Sequence, residues 1–70
     1  MSDDVYAVSE IVGSSGESID GAVQNALARA RKTLRQLDWF EVTEIRGHLA
    51  DDGTLAHYQV SIKVGFKMEE

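Results

Sequence analysis

The chain has 70 residues, one domain's worth, and a chain this short buries only about 60% of the surface that its unfolded form exposes. It has no cysteine, which excludes disulfides, Cys-based zinc sites and thiol catalysis, so association of subunits is the expected further support for its stability. Seven basic against twelve acidic side chains, a net charge of −5, speak against nucleic acid as the main partner. No apolar run approaches the ~20 residues of a membrane span, and MSDD lacks the basic start of a signal peptide, so the expected setting is cytoplasmic. Proline, repeats and low-complexity segments are absent, and residues 1–70 are read as a single domain.

Val5 to Val12 (VYAVSEIV) is rich in β-branched and aromatic residues and predicts a first strand. Tyr6, Val8 and Val12 share one face, and Val5, Ala7 and Ile11 the other, so neither face is clearly wet. GSSGES (13–18) follows as a turn with helix-start chemistry. Ser14 with Glu17 fits a capping box, and Ser15 competes as the cap. Ile19, Ala22, Val23, Ala26, Leu27, Ala30, Leu34 and Leu37 then recur at spacings of three and four. That pattern predicts one helix of about 20 residues, roughly 30 Å long, with a single apolar stripe. Acidic Glu17 and Asp20 near its start and Arg29, Arg31, Lys32 and Arg35 in its second half suit the helix dipole.

Trp39 to Leu49 (WFEVTEIRGHL) predicts a second strand whose parity breaks: Phe40 and Val42 have one parity, Ile45 and Leu49 the other. A β-bulge near Thr43-Glu44 realigns them, so that all four face the core while Trp39, Glu41, Arg46 and His48 face away. Asp51-Asp52-Gly53-Thr54 is a hairpin turn. Leu55 to Phe66 alternates cleanly, with Tyr58, Val60, Ile62, Val64 and Phe66 on an apolar face and His57, Gln59, Ser61 and Lys63 on a polar one; the tail KMEE is expected to fray. The fold class is α+β in the order β-α-β-β. The third strand lies in the middle of a three-stranded antiparallel sheet wrapped on one long helix.

One sheet face is left over, carrying Trp39, Glu41, Arg46, His48, His57, Gln59, Ser61 and Lys63. Indole, amide and guanidinium together suit a flat, polar-edged aromatic ligand. On the residues alone, however, a lone tryptophan in a small domain is more often a packing residue. His48 and His57 as metal ligands weigh less than ordinary polar contacts, and no metal site is assigned. Glu41 and Glu44 are better read as exposed or subunit-bridging carboxylates than as an acid–base pair. The basic helix cluster spreads around the helix, which favours solvated or inter-subunit ion pairs over phosphate or RNA binding. Asp51-Asp52 is better read as a plain turn than as a cation site.

LDWFEV (37–42), IRGHL (45–49) and AHYQVSIKVGF (56–66), after a VSEIVGSS strand-turn and an ALARA helix, resemble the dodecins. The match runs from about Tyr6 to Phe66. The resemblance implies a hollow homododecamer that binds flavin, FMN or riboflavin, in pairs between symmetry-related tryptophans at subunit contacts. Trp39 matches the stacking residue and Gln59 the glutamine on the polar edge of the ring. Arg46 and His48 resemble the RGH of the bacterial branch, whose arginine reaches flavin or its phosphate. Some members also hold coenzyme A, which falls on no particular residues of this chain. The implied role is storage and photoprotective sequestration of flavin, not catalysis. A ligand-free structural homo-oligomer and a flavin-dependent redox enzyme are the alternatives.

Overall fold

The computed structural model describes residues 3–68. Four elements follow one another: β1 (Tyr6–Ser15), α1 (Ile19–Thr33), β2 (Leu37–Leu49) and β3 (Leu55–Lys67). They form one sheet in the order β1-β3-β2, with β3 antiparallel to both neighbours, as the hairpin and the helical crossover require.

The helix begins with its apolar stripe at Ile19, later than a cap at Ser14 or Ser15 would place it, and ends earlier than the stripe suggests. Its N-cap is Ser18, not Ser14 or Ser15, because the Ser18 hydroxyl accepts the Gly21 N–H at 2.8 Å. Ser15 instead holds the preceding turn, its Oγ accepting from the Glu17 and Ser18 N–H groups. The helix spans 15 residues, about 22 Å, and stops at Thr33. Leu34 is already extended at φ −107° and ψ 141°, and Gln36 takes a positive φ of 59° to turn the chain into β2. Leu34 and Leu37 still pack against the core, from the connection and the strand start. Their burial imitates a helical period that the backbone has left.

Among the described residues the buried apolar core is Ala22, Val23, Ala26 and Ala30 of the helix with Val60, Ile62 and Val64 of β3. β1 lies close beneath the helix. A β-carbon at Gly13 would overlap the Ala22 carbonyl oxygen and come within 2.8 Å of Ala26 Cβ, so glycine there permits the approach.

The ladder between β2 and β3 shifts at three places. Val42 pairs with Ile62 and Glu44 with Ser61, leaving Thr43 as the extra residue. This is the bulge that the parity break requires, and it sets Phe40, Val42 and Ile45 opposite Val64, Ile62 and Val60. One part of the expectation needs correction. Phe40, Val42, Ile45 and Leu49 lie on the helix side of the sheet but outside the core, with exposures between 41% and 60%. The helix packs chiefly on β1 and β3, and β2 reaches the core with Leu37, at its start.

The outline follows from this. A compact domain of this length has a radius of gyration of about 11 Å, whereas this chain measures 14.4 Å and extends 52 × 20 × 15 Å. Thirteen strand residues span about 43 Å, twice the helix length, so much of the β2–β3 ribbon is uncovered. The tail is firmer than expected up to Met68: Lys67 belongs to β3, and the Met68 N–H donates to the Val5 carbonyl at 2.8 Å. Glu69 and Glu70 lie outside the described residues.

Candidate functional site

The sheet face opposite the helix is the open face. It carries Tyr6, Val8, Glu10 and Val12 from β1, and Gln59, Ser61, Lys63 and Gly65 from β3. β2 contributes Trp39, Glu41, Glu44, Arg46 and His48. The three strands divide it into two polar and aromatic centres, one near each end.

At one end Trp39 pairs with Gly65, and its indole lies across that glycine. A β-carbon on Gly65 would overlap Cε2 and Cζ2 of the indole, so only glycine leaves this seat open. The indole remains 41% exposed. Tyr6 flanks it from β1, ring centroids 6.1 Å apart and planes at 49°. The Tyr6 hydroxyl reaches across β3 and donates to Asp38 Oδ2 at 2.7 Å. That bond to a carboxylate, with partial desolvation and the negative charge of Asp38 itself, raises the Tyr6 phenol above its ordinary value. Asp38 is the extra residue between the Leu37–Phe66 and Trp39–Gly65 pairs. The irregularity leaves Leu37 against the core while Trp39 turns to the open face.

At the other centre Arg46 and Gln59 are paired across β2 and β3. Arg46 Nη1 donates to Gln59 Oε1 at 3.4 Å, and Nη2 donates to Ser61 Oγ at 3.0 Å and to Glu44 Oε1 at 2.7 Å. With its oxygen turned to the guanidinium, the Gln59 amide presents its N–H₂ outward. Glu44 thus serves as the ion-pair partner of Arg46 within the chain, with both side chains exposed. Bulged Thr43 donates to the Ser61 carbonyl at 3.1 Å and anchors β2 on β3 beside this centre.

One row further, His48 pairs with His57, their rings stacked at 4.9 Å and 16°. Among the described residues no group of three His, Cys, Asp or Glu side chains converges as a metal site would require.

Trp39, Arg46, His48 and Gln59 therefore share one face, as parity and the bulge predict, but they do not converge. From Gly65, under the indole, to Gln59 is about 20 Å along β3 at the usual strand rise. The sequence reading placed these side chains on one face without resolving their separation. It also missed Tyr6, Asp38 and Gly65. Gly65 breaks an otherwise regular apolar–polar alternation, and that was the available signal.

A helix laid over part of a three-stranded antiparallel sheet, with a long uncovered ribbon and an aromatic platform on the open face, defines a small α+β subunit of the dodecin type. The chain belongs to the dodecin family, whose model matches residues 5–69. It is 58% identical over 66 residues to the dodecin of Thermus thermophilus, covering 94% of each chain. Its structure resembles the dodecin of Streptomyces coelicolor with a TM-score of 0.91 and 54% identity, covering 100% of this chain and 99% of that one. For the dodecin of Streptomyces davaonensis the TM-score is 0.90 and the identity 52%, over 99% and 100% of the two chains.

Proposed function

We propose that this protein binds flavin, FMN or riboflavin, and stores it in a photoprotected form at subunit contacts of a hollow homododecamer. The observation that carries the reading is the indole of Trp39, seated flat on Gly65 and open on the face away from its own core. The residues present suit the ligand. Trp39 offers a stacking surface for a planar tricycle, and Gln59 offers amide donors to carbonyls along a ring edge. Arg46 holds that amide and, with five donors, keeps capacity for a phosphate or a ring oxygen. His48 lies beside Arg46 on the same side, as a further polar group for the ligand.

Roughly 20 Å between indole and amide exceeds the long axis of an isoalloxazine ring, so one chain does not supply both contacts to one flavin. On this reading Trp39 of one subunit and Gln59 with Arg46 of another meet on the same ligand. The uncovered apolar residues of β2 supply the contact that brings subunits together. A bound flavin brings a light-excitable electron acceptor. Trp39, an electron-rich ring in contact with it, quenches the excited state by electron donation, and stacking excludes water and other reactants. A ring clamped on both faces leaves little room for a substrate, which favours storage over catalysis.

Titration with FMN tests this. Saturating binding is expected to extinguish most flavin emission, and Trp39→Ala to weaken binding tenfold or more while restoring emission. Emission undiminished at saturation, or Trp39→Ala binding as tightly as wild type, defeats the reading. Co-assembly of Trp39→Ala with Gln59→Ala subunits is expected to regain a fraction of quenching sites that neither variant forms alone. No regain would place both contacts on one chain.

A further inference from the structure

We propose that Tyr6 and Asp38 form a proton-coupled electron relay behind Trp39, refilling the indole whenever it has given up an electron. The inference rests on the proposed electron donation by Trp39 and concerns what happens to the indole afterwards. Three side chains are brought together by the fold. Tyr6 from β1 stands 6.1 Å from the indole, centroid to centroid. Its hydroxyl already points its proton at Asp38 Oδ2, 2.7 Å away. Asp38 sits where it does because β2 carries an extra residue just before Trp39.

The chemistry needs all three. An indole that has lost an electron to a photo-excited isoalloxazine is a strong one-electron oxidant. A phenol can reduce it, but oxidation makes the phenolic proton very acidic, so the transfer is favourable only if a base takes that proton at the same time. Tyr6, like any phenol, carries its proton at neutral pH, so a base is required, and Asp38, which already accepts a hydrogen bond from that hydroxyl, is that base. The electron moves from Tyr6 to Trp39, and the proton moves from Tyr6 Oη to Asp38 Oδ2. The products are neutral Trp39, a neutral Tyr6 phenoxyl radical and a protonated Asp38. Return of the electron from the flavin to Tyr6, with return of the proton from Asp38, restores every group, and no atom is gained or lost.

The purpose follows from the chemistry of the indole. A persistent indole radical reacts irreversibly, and the residue that the site depends on would be consumed by its own quenching. Tyr6 takes the oxidising equivalent off it. The other tyrosine is not placed to do so: Tyr58 pairs with Gly47 on the helix side, about 23 Å along β3 from Gly65.

Pulse radiolysis of the ligand-free protein with azide radicals, which oxidise indole in preference to phenol, tests the relay without any flavin. Wild type is expected to show indolyl absorption converting to phenoxyl absorption, at a rate independent of protein concentration and slowed in D₂O. Tyr6→Phe should abolish the conversion, Tyr58→Phe should leave it unchanged, and Asp38→Asn should slow it at least tenfold, with circular dichroism verifying the fold of each. Conversion persisting in Tyr6→Phe, or absent in wild type, overturns the proposal. Asp38→Asn converting at the wild-type rate overturns the assignment of the proton acceptor. Because the oxidant is azide radical, failure of flavin to bind leaves this result intact, and failure of the relay leaves flavin binding intact.

Discussion

β1 and β2 flank the same central strand, yet the core lies beneath the middle of β1 and meets β2 at its start, Leu37. Ile11 of β1 packs against the cluster formed by the helix and β3. On β2, Phe40, Val42 and Ile45 occupy equivalent places beside Val64, Ile62 and Val60, on the same side of the sheet, and remain exposed. Alternation decides which side of a sheet a residue faces, whereas helix length decides how much of that side is covered. A 15-residue helix, about 22 Å long, cannot cover a 13-residue ribbon of about 43 Å, and it lies across β1 and β3. The covered half folds the subunit, and the uncovered half stays apolar and open, which is the surface that the proposed function assigns to contact with another subunit. Contiguous apolar surface of this kind is rare on proteins that act as monomers.

The largest effect expected from this contrast is on assembly. Ile45→Asp puts a charge in the middle of the uncovered patch and is expected to leave subunits dissociated, with helix and strand content retained by circular dichroism. Native mass spectrometry reads the outcome, and an unchanged assembly mass would mean that this half of β2 is not the contact. In the covered half, Ile62→Ala removes atoms from a fully buried site and is expected to cost about 2–5 kcal/mol per subunit. Denaturation across a range of protein concentrations separates the two halves. The Ile62→Ala loss should persist in dilute protein, and that of Val42→Ala should appear only where subunits associate. Equal behaviour of both variants would break the comparison.

A smaller effect is expected on the open face. Gly65→Ala places a β-carbon where the indole now lies, so the ring must lift from its seat. Flavin affinity should fall about tenfold, close to 1.4 kcal/mol, with core stability unchanged. Titration by flavin fluorescence measures it, and wild-type affinity would show that the flat seat does not matter.

The element order, the central place of β3 and the bulge at Thr43 were legible in the sequence, because each is a local pattern: a period, a turn, a parity break. Helix length was not. Leu34 and Leu37 are partly buried where a helical stripe would put them, and no glycine announces that the chain leaves the helix at Leu34 and turns at a left-handed Gln36. The separation of Trp39 from Gln59 was not legible either, because parity reports a face and carries no information on distance until the register is known. Tyr6 and Asp38 escaped for the same reason: their contact crosses a whole strand and joins residues 32 positions apart.

The smallest expected effect lies at the hairpin tip, where the ribbon extends beyond the helix and must hold itself together. Asp52 Oδ1 accepts from the Thr54 hydroxyl at 2.7 Å and from the Thr54 N–H at 3.0 Å, and Gly53 turns the chain at a φ of +87°. These two bonds, the hydroxyl's first, hold the carboxyl below its ordinary value of 3.8. A lowered folded-state value means that the fold prefers the charged form. Its contribution is therefore complete above 3.8 and is lost as pH falls through the lower folded-state value. The side chain is solvent-exposed, so solvent screens the effect. Asp52→Ala should lower Tm slightly at neutral pH, and the gap from wild type should narrow as the solution is acidified below that point. A gap constant with pH would assign the turn's stability to backbone geometry alone, with no share for the carboxylate.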